Sequence, residues 1–305
     1  MPRERPPRSD QYRFEELAEG VVFAESRPDG TALSNAGIVD LGGTTLVFDT
    51  ALTLRAARDL RSAASTWTGR PPSLAANSHW HLDHLLGNQL FARGAIYATR
   101  RTVEILLQKR AELEAELTLE KLDAELRELQ GASRGRAEPT PDERAEYDLA
   151  VRINRTLRDE IPELRLTPPS EPFEGELRLP GERRARLVTF GSGHTESDAV
   201  LELPRERLVC AGDLVVAGHH PNLLSGDPRH WLVVLDRIEQ LAPERILTGH
   251  GPVGSRETVA EMRDYLSTVL RAAEELGEAR LPDRFARWSG RSQFDQNVAY
   301  VRSLT

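Results

Sequence analysis

Cysteine is nearly absent: Cys210 is the single one in 305 residues, so no intrachain disulfide can form. Long apolar runs are missing as well. No stretch approaches the roughly 20 apolar residues of a membrane span. The first residues, MPRERPPRSDQYRFEEL, are basic but lead into no apolar run, so they do not read as a secretory signal. Positive charge is in the minority, with 40 basic against 48 acidic side chains and a formal net charge of −8. An acidic chain repels phosphate backbones, which argues against general nucleic-acid binding. The expectation is a soluble, cytoplasmic protein that acts on a small molecule, with neither nucleic acid nor membrane as partner. Hydrophobic residues make up 39%, enough for the core of one large domain.

Residues 1–13 are rich in Pro and Arg and are expected to be loose, with a single domain over 14–305. GVVFAES, NAGIVDLGG and TTLVFDT read as strands joined by tight turns. Leu54, Ala57, Leu60 and Ala64 give the next segment a helical spacing. SLAANSHWH reads as a strand running into a loop, LLGNQLF as a short helix and GAIYAT as a strand. Residues 101–161 differ in character, with leucine stripes set among Glu, Lys and Arg. They are expected to form an inserted helical hairpin, broken near Thr118, interrupted by the loop GASRGRAEPTPDER and restarted at Thr140–Pro141. Its striped faces admit packing on the body, a lid or a homodimer surface. Strand patterns return in ARLVTF, AVLELP, RLVCAGDLVV and ERILTGHG, separated by the helical DPRHWLVVLDRIEQLAP. A long helix follows, with Ser255 as its cap, and the tail carries Phe285, Trp288, Phe294 and Tyr300 for docking on the body. The C-terminal helix and tail together take in 255–305. Strands alternating with helices in both halves give an α/β layered fold.

Histidine is used sparingly, yet three of the eight fall in HWHLDH, residues 79–84. If the strand continued through 79 and 81, side-chain alternation would point His79 and His81 the same way, with Asp83 and His84 swung beside them by a turn. Imidazole and carboxylate together suit zinc and similar divalent ions. Three further candidates stand just after apolar runs and beside glycine: His194 in FGSGHTESD, Asp213 in CAGDLVV and His250 in LTGHGPVG. Strand-end loops on one edge of an α/β sheet are a common place to build a site.

The ordered set HxHxDH, GHT, GD and GHG resembles the metallo-β-lactamase fold superfamily over about residues 17–276. The resemblance implies a four-layer αββα sandwich with metals at one edge. It implies His79, His81 and His194 on one metal, Asp83, His84 and His250 on a second, and Asp213 bridging. It implies two Zn²⁺ per chain, with Mn²⁺ or Fe admitted, and a metal-bridging hydroxide that Asp83 orients for attack. Asp49, closing TTLVFDT, is implied as a structural or supporting residue.

Residue types at these positions narrow the branch. His81 stands where flavodiiron oxygen reductases carry glutamate, and Asp213 where many true β-lactamases carry Cys or Ser. Trp80 and the segment after GD depart from the glyoxalase II pattern. The closest likeness is to the broad branch of quinoprotein-associated zinc hydrolases. The implied activity is hydrolysis of a small ester, thioester, lactone or related bond. The alternatives are a mononuclear iron oxygenase resembling sulfur dioxygenases, β-lactamase-like amide hydrolysis, and a non-catalytic homologue. His219 and His220 are candidates for binding substrate or donating a proton. Trp80, His230 and Cys210 are expected to be structural, and Asn88 to tighten the chain near the cluster.

Overall fold

A computed structural model describes residues 7–134, 140–275 and 280–304. Seven strands form one sheet in chain order: β1 (Tyr12–Ala18), β2 (Val21–Ser26), β3 (Ala36–Asp40), β4 (Thr45–Phe48), β5 (Leu74–Ala76), β6 (Ala95–Thr99) and β7 (Glu171–Phe173). β1 to β4 pair antiparallel and β4 to β7 parallel. The other strands are β8 (Glu176–Arg178), β9 (Arg186–Val188), β10 (Val200–Leu203), β11 (Leu208–Gly212) and β12 (Arg245–Thr248). They form a second sheet in the order β12–β11–β10–β9–β8, parallel only between β11 and β12.

The continuous apolar runs of the first sheet arise because both its faces are covered. Alternate residues divide cleanly: Val21, Phe23, Val39, Leu46 and Phe48 face the second sheet, where Leu187, Leu201, Leu208, Cys210 and Leu247 meet them. Val22, Ala24, Ile38 and Val47 face the other way, onto α1 (Leu54–Thr68). That helix starts at Thr53, whose side chain accepts from the Ala56 amide, and stops at Gly69 in the left-handed region. It makes the crossover between the parallel strands β4 and β5.

The short α2 (Leu82–Leu85) follows β5 and runs into a 3₁₀ turn at Leu86–Leu90. The inserted segment folds as four helices: α3 (Arg100–Gln108), α4 (Arg110–Glu116), α5 (Leu119–Arg134) and α6 (Pro141–Glu160). The break falls beside Thr118, and Thr140 opens α6 through a capping box with Glu143. Part of the expected loop, residues 135–139, lies outside the described residues. Leu106, Leu122, Ile153 and Leu157 of the insert pack with Leu52, Leu54, Trp80, Leu85 and Leu86 of the body.

Outside the second sheet lie α7 (Pro228–Gln240) and α8 (Arg256–Glu274), with α9 (Ser292–Ser303) against α8. The layers are therefore helix, sheet, sheet, helix: an αββα sandwich. Ser255 caps α8, and Phe285 and Phe294 of the tail are buried against it. Within the stretch read as loose, β1 begins at Tyr12 and Ser9 donates to Asp59. Residues 1–6 lie outside the described ones. Among the described residues no helix is long and apolar enough to cross a membrane.

Candidate metal centre

The C-terminal ends of β4, β5, β11 and β12 open onto one edge of the sandwich, and the β9–β10 loop folds over it. Asp49 follows β4, the segment 77–84 follows β5, Asp213 follows β11 and His250 follows β12; His194 comes from the loop. The approach of β11 to β12 is tight: a Cβ on Gly249 would stand 1.9 Å from Asp213 Oδ1.

One expectation needs correction. His79 and His81 do not share a strand face, because β5 ends at Ala76. The Asp49 carboxylate takes the Ser78 amide at 2.7 Å and the Ser78 hydroxyl at 2.9 Å, and so draws the chain off the sheet. His81 is the N-cap of α2, and Asp83 and His84 lie in that single turn. A loop and a helix start, not strand alternation, aim the three histidines.

The ligating atoms gather in two groups, each within 4.8 Å: His79, His81, His194 and Asp213, then Asp83, His84 and His250. His81 Nδ1 and His194 Nε2 stand 3.0 Å apart. Asp213 lies between the groups. Its Oδ2 is 3.4 Å from His194 Nε2 and 3.3 Å from His250 Nε2, and its Oδ1 is 3.1 Å from His84 Nε2. Asp83 Oδ2 is 3.3 Å from His84 Nε2 and 3.4 Å from His250 Nε2.

The outward nitrogens are fixed by groups that sequence reading left unnamed, apart from Asp49. Ser78 Oγ meets His79 Nδ1 at 2.9 Å, Ser225 Oγ meets His81 Nε2 at 3.1 Å, and Asp49 Oδ2 meets His84 Nδ1 at 2.8 Å. The Leu33 carbonyl meets His250 Nδ1 at 3.2 Å. Such partners set which nitrogen is left to bind an ion. Leu33, Asp49 and Ala51 all have left-handed backbone, with φ of 65°, 62° and 74°. For non-glycine residues this is strain, and here it is concentrated beside the cluster. Adjacency flags Ser78 in the sequence; nothing local flags Ser225 or a backbone carbonyl.

Burial pushes the imidazoles of His79, His81 and His194 below their ordinary value, His194 to about 3. Burial opposes protonation of His84 and His250 too, but the facing carboxylates outweigh it. His84 is held well above its usual range and His250 is raised to about 10. Burial likewise opposes ionisation of Asp83 and Asp213, and the same histidines outweigh it, holding both carboxyls well below theirs. The cluster thus calls for positive charge at its centre. The buried Nε2 of His79 also has no hydrogen-bond partner among the described residues. A converging set of imidazole and carboxylate lone pairs fits a divalent cation.

His219 and His220 diverge. The His219 ring stands 6.0 Å from that of His250, and burial lowers its pKa to about 4. His220 instead turns into the tail, its Nδ1 3.0 Å from Tyr265 Oη and its ring against Trp288. That placement removes it from the site. Trp80 is buried between the ligand loop and the insert, with Nε1 donating to Glu196 at 3.2 Å. Asn88 is buried and pairs with Asn77 through both amides, at 2.9 and 3.1 Å, beneath the ligand loop. His230 meets the Ser192 carbonyl at 2.6 Å, and Cys210 is buried with its thiol pushed up by desolvation.

An αββα sandwich with a histidine–aspartate cluster at one sheet edge defines the class of protein. Comparison with known families identifies it: the profile of the metallo-β-lactamase superfamily matches residues 29–250, and the chain belongs to that superfamily. Solved structures share the fold at low identity. A metallo-β-lactamase from Pontibacter korlensis aligns with TM-score 0.61 and 16% identity, over 84% of this chain and 99% of its own. The metallo-β-lactamase FIM-1 from Pseudomonas aeruginosa, in a mono-zinc form, gives 0.58 and 17%, over 86% and 97%. A metallo-β-lactamase from Erythrobacter litoralis, with β-mercaptoethanol in its active site, gives 0.58 and 19%, over 86% and 99%. No curated protein matches the chain.

Proposed function

We propose that this chain is a dinuclear metal-dependent hydrolase of a small ester, thioester, lactone or related bond. One observation carries the reading: two groups of ligating atoms, each within 4.8 Å, meet at Asp213. His79, His81 and His194 would hold one ion, Asp83, His84 and His250 the other, and Asp213 would touch both. Zinc, or manganese or iron, would supply Lewis acidity there and lower the pKa of water toward about 7.

The chain's own part is orientation. Asp83 Oδ2 faces the space beside His84 and His250 and stays ionised, so it can accept a hydrogen bond from an attacking water and orient it. Ser78, Ser225, Asp49 and Leu33 hold four imidazoles in fixed orientation, so none need reorganise as charge develops.

Elemental analysis of purified protein is expected to find about two zinc ions per chain, the count implied by two such centres. A panel of ester, thioester, lactone, β-lactam and phosphodiester substrates on zinc-, manganese- and iron-loaded protein then identifies the bond. One iron per chain with oxygen consumption would overturn the assignment. Asp213→Ala is expected to lower turnover by about 100-fold or more with an unchanged circular dichroism spectrum. Full activity in that variant would remove Asp213 from its place between the ions.

A further inference from the structure

All eight histidines lie among the described residues. Seven have a ring nitrogen in a hydrogen bond: His79 with Ser78, His81 with Ser225 and His194, His84 with Asp49, His220 with Tyr265, His230 with Ser192, and His250 with Leu33. His219 has none among the described residues. Its ring nevertheless stands half-buried, 6.0 Å from the ring of His250 and inclined to it by 51°.

The backbone around it is held on both sides. The Ala217 amide donates to the carbonyl of His250 itself, at 3.0 Å. On the far side the Ser289 amide donates to Gly218 at 2.9 Å, and the His220 amide donates to Ser289 at 2.9 Å. Gly251, with φ of 81°, permits the approach: a Cβ there would stand 1.9 Å from the Ala217 carbonyl and 3.3 Å from the His219 ring. Strand β12, the loop after β11 and the C-terminal tail therefore converge to fix one imidazole beside the cluster while leaving both its nitrogens unpaired. A half-buried polar group so held is stabilised only when a ligand or solvent pairs with it.

We propose that His219 is a substrate-binding residue. Its imidazole donates a hydrogen bond to an acceptor oxygen of the substrate on the His250 side of the cluster, and so favours substrates carrying a carboxylate or acyl oxygen there. This rests on the metal-centre reading above, and the test separates the two.

The probes are 3-mercaptopropionate and propane-1-thiol, matched in length and differing in the carboxylate. Both offer a thiolate, a good zinc ligand. Calorimetric titration of the zinc-loaded protein is expected to show both binding, the carboxylate-bearing thiol about tenfold more tightly, as a hydrogen bond to a charged group warrants. In His219→Ala that preference is expected to vanish, while propane-1-thiol binds as before and zinc content is unchanged. His219→Gln, which retains a donor and guards against a folding artefact, is expected to restore part of it. A preference surviving in His219→Ala, with intact zinc, overturns the assignment of His219 alone. Failure of the unaltered protein to take up zinc overturns the metal-centre reading and this one with it.

Discussion

Asp49 has φ of 62°, a conformation that most residues avoid, and its carboxylate explains why the chain holds it there. One oxygen takes the Ser78 amide; the other takes the Ser78 hydroxyl and His84 Nδ1. Asp49→Asn keeps the size and loses the charge-assisted bond to the imidazole. Its zinc affinity is expected to fall by about 10- to 100-fold, read by competition with a chromophoric chelator. Unchanged affinity would reduce Asp49 to a chain-turning residue. The raised pKa values of His84 and His250 carry a second consequence. In the metal-free protein the facing carboxylates favour the protonated imidazole at both positions, raising His250 to about 10 and His84 well above its usual range. Zinc must displace such protons, so binding is expected to release at least about one per chain and to tighten as pH rises through neutrality. Calorimetry in buffers of different ionisation heat measures the number; no release would mean the histidines are already neutral.

At the scale of elements, Glu160 ties the insert to the body. Standing at the end of α6, it accepts the Leu54 and Arg55 amides at 2.7 Å each, the open N-terminus of α1. Those are two of the donors that a helix start leaves without partners. Glu160→Ala is expected to cost about 1–3 kcal/mol in denaturant unfolding, since it strands the buried Leu54 amide and the partly buried Arg55 amide. A change below about 0.5 kcal/mol, the ordinary level for a surface substitution, would show that the insert docks without this carboxylate. This contact joins residues about a hundred positions apart and has no local signature. What was legible in the sequence is what local chemistry writes there. Thr140–Pro141 and Ser255 announced helix starts, glycine-flanked His194, Asp213 and His250 announced the cluster, and short apolar runs between turn residues announced strands. The end of β5 was not legible, because the Asp49 carboxylate diverts the chain at Ser78 from nearly thirty residues away. Nor was the separation of His219 from His220, which depends on Tyr265 and Trp288 waiting beneath one of them.

At the scale of the molecule, the cluster joins the two sheets, whose facing surfaces pack through apolar residues. Asp83 and the histidines at 79, 81 and 84 follow a strand of the first sheet; His194, Asp213 and His250 come from the second. The β2–β3 loop braces the same seam, as the Asn35 side chain donates to Thr248 at 2.9 Å and to the Gly251 carbonyl at 2.8 Å. An ion held at Asp213 would cross-link the two sheets in the native state and find no such site in the unfolded chain. Metal then adds to stability by mass action, by about 2.7 kcal/mol at a free concentration one hundred times its dissociation constant. For a chain of this size that corresponds to about 5 °C in melting temperature. Chelation is therefore expected to lower the calorimetric Tm by several degrees, and added zinc to restore it. Asp213→Ala should melt close to the chelated protein and respond little to zinc, because its second ion-facing carboxylate is gone. An unaltered Tm after chelation, with elemental analysis proving the metal removed, would show that the sheets are held together without it.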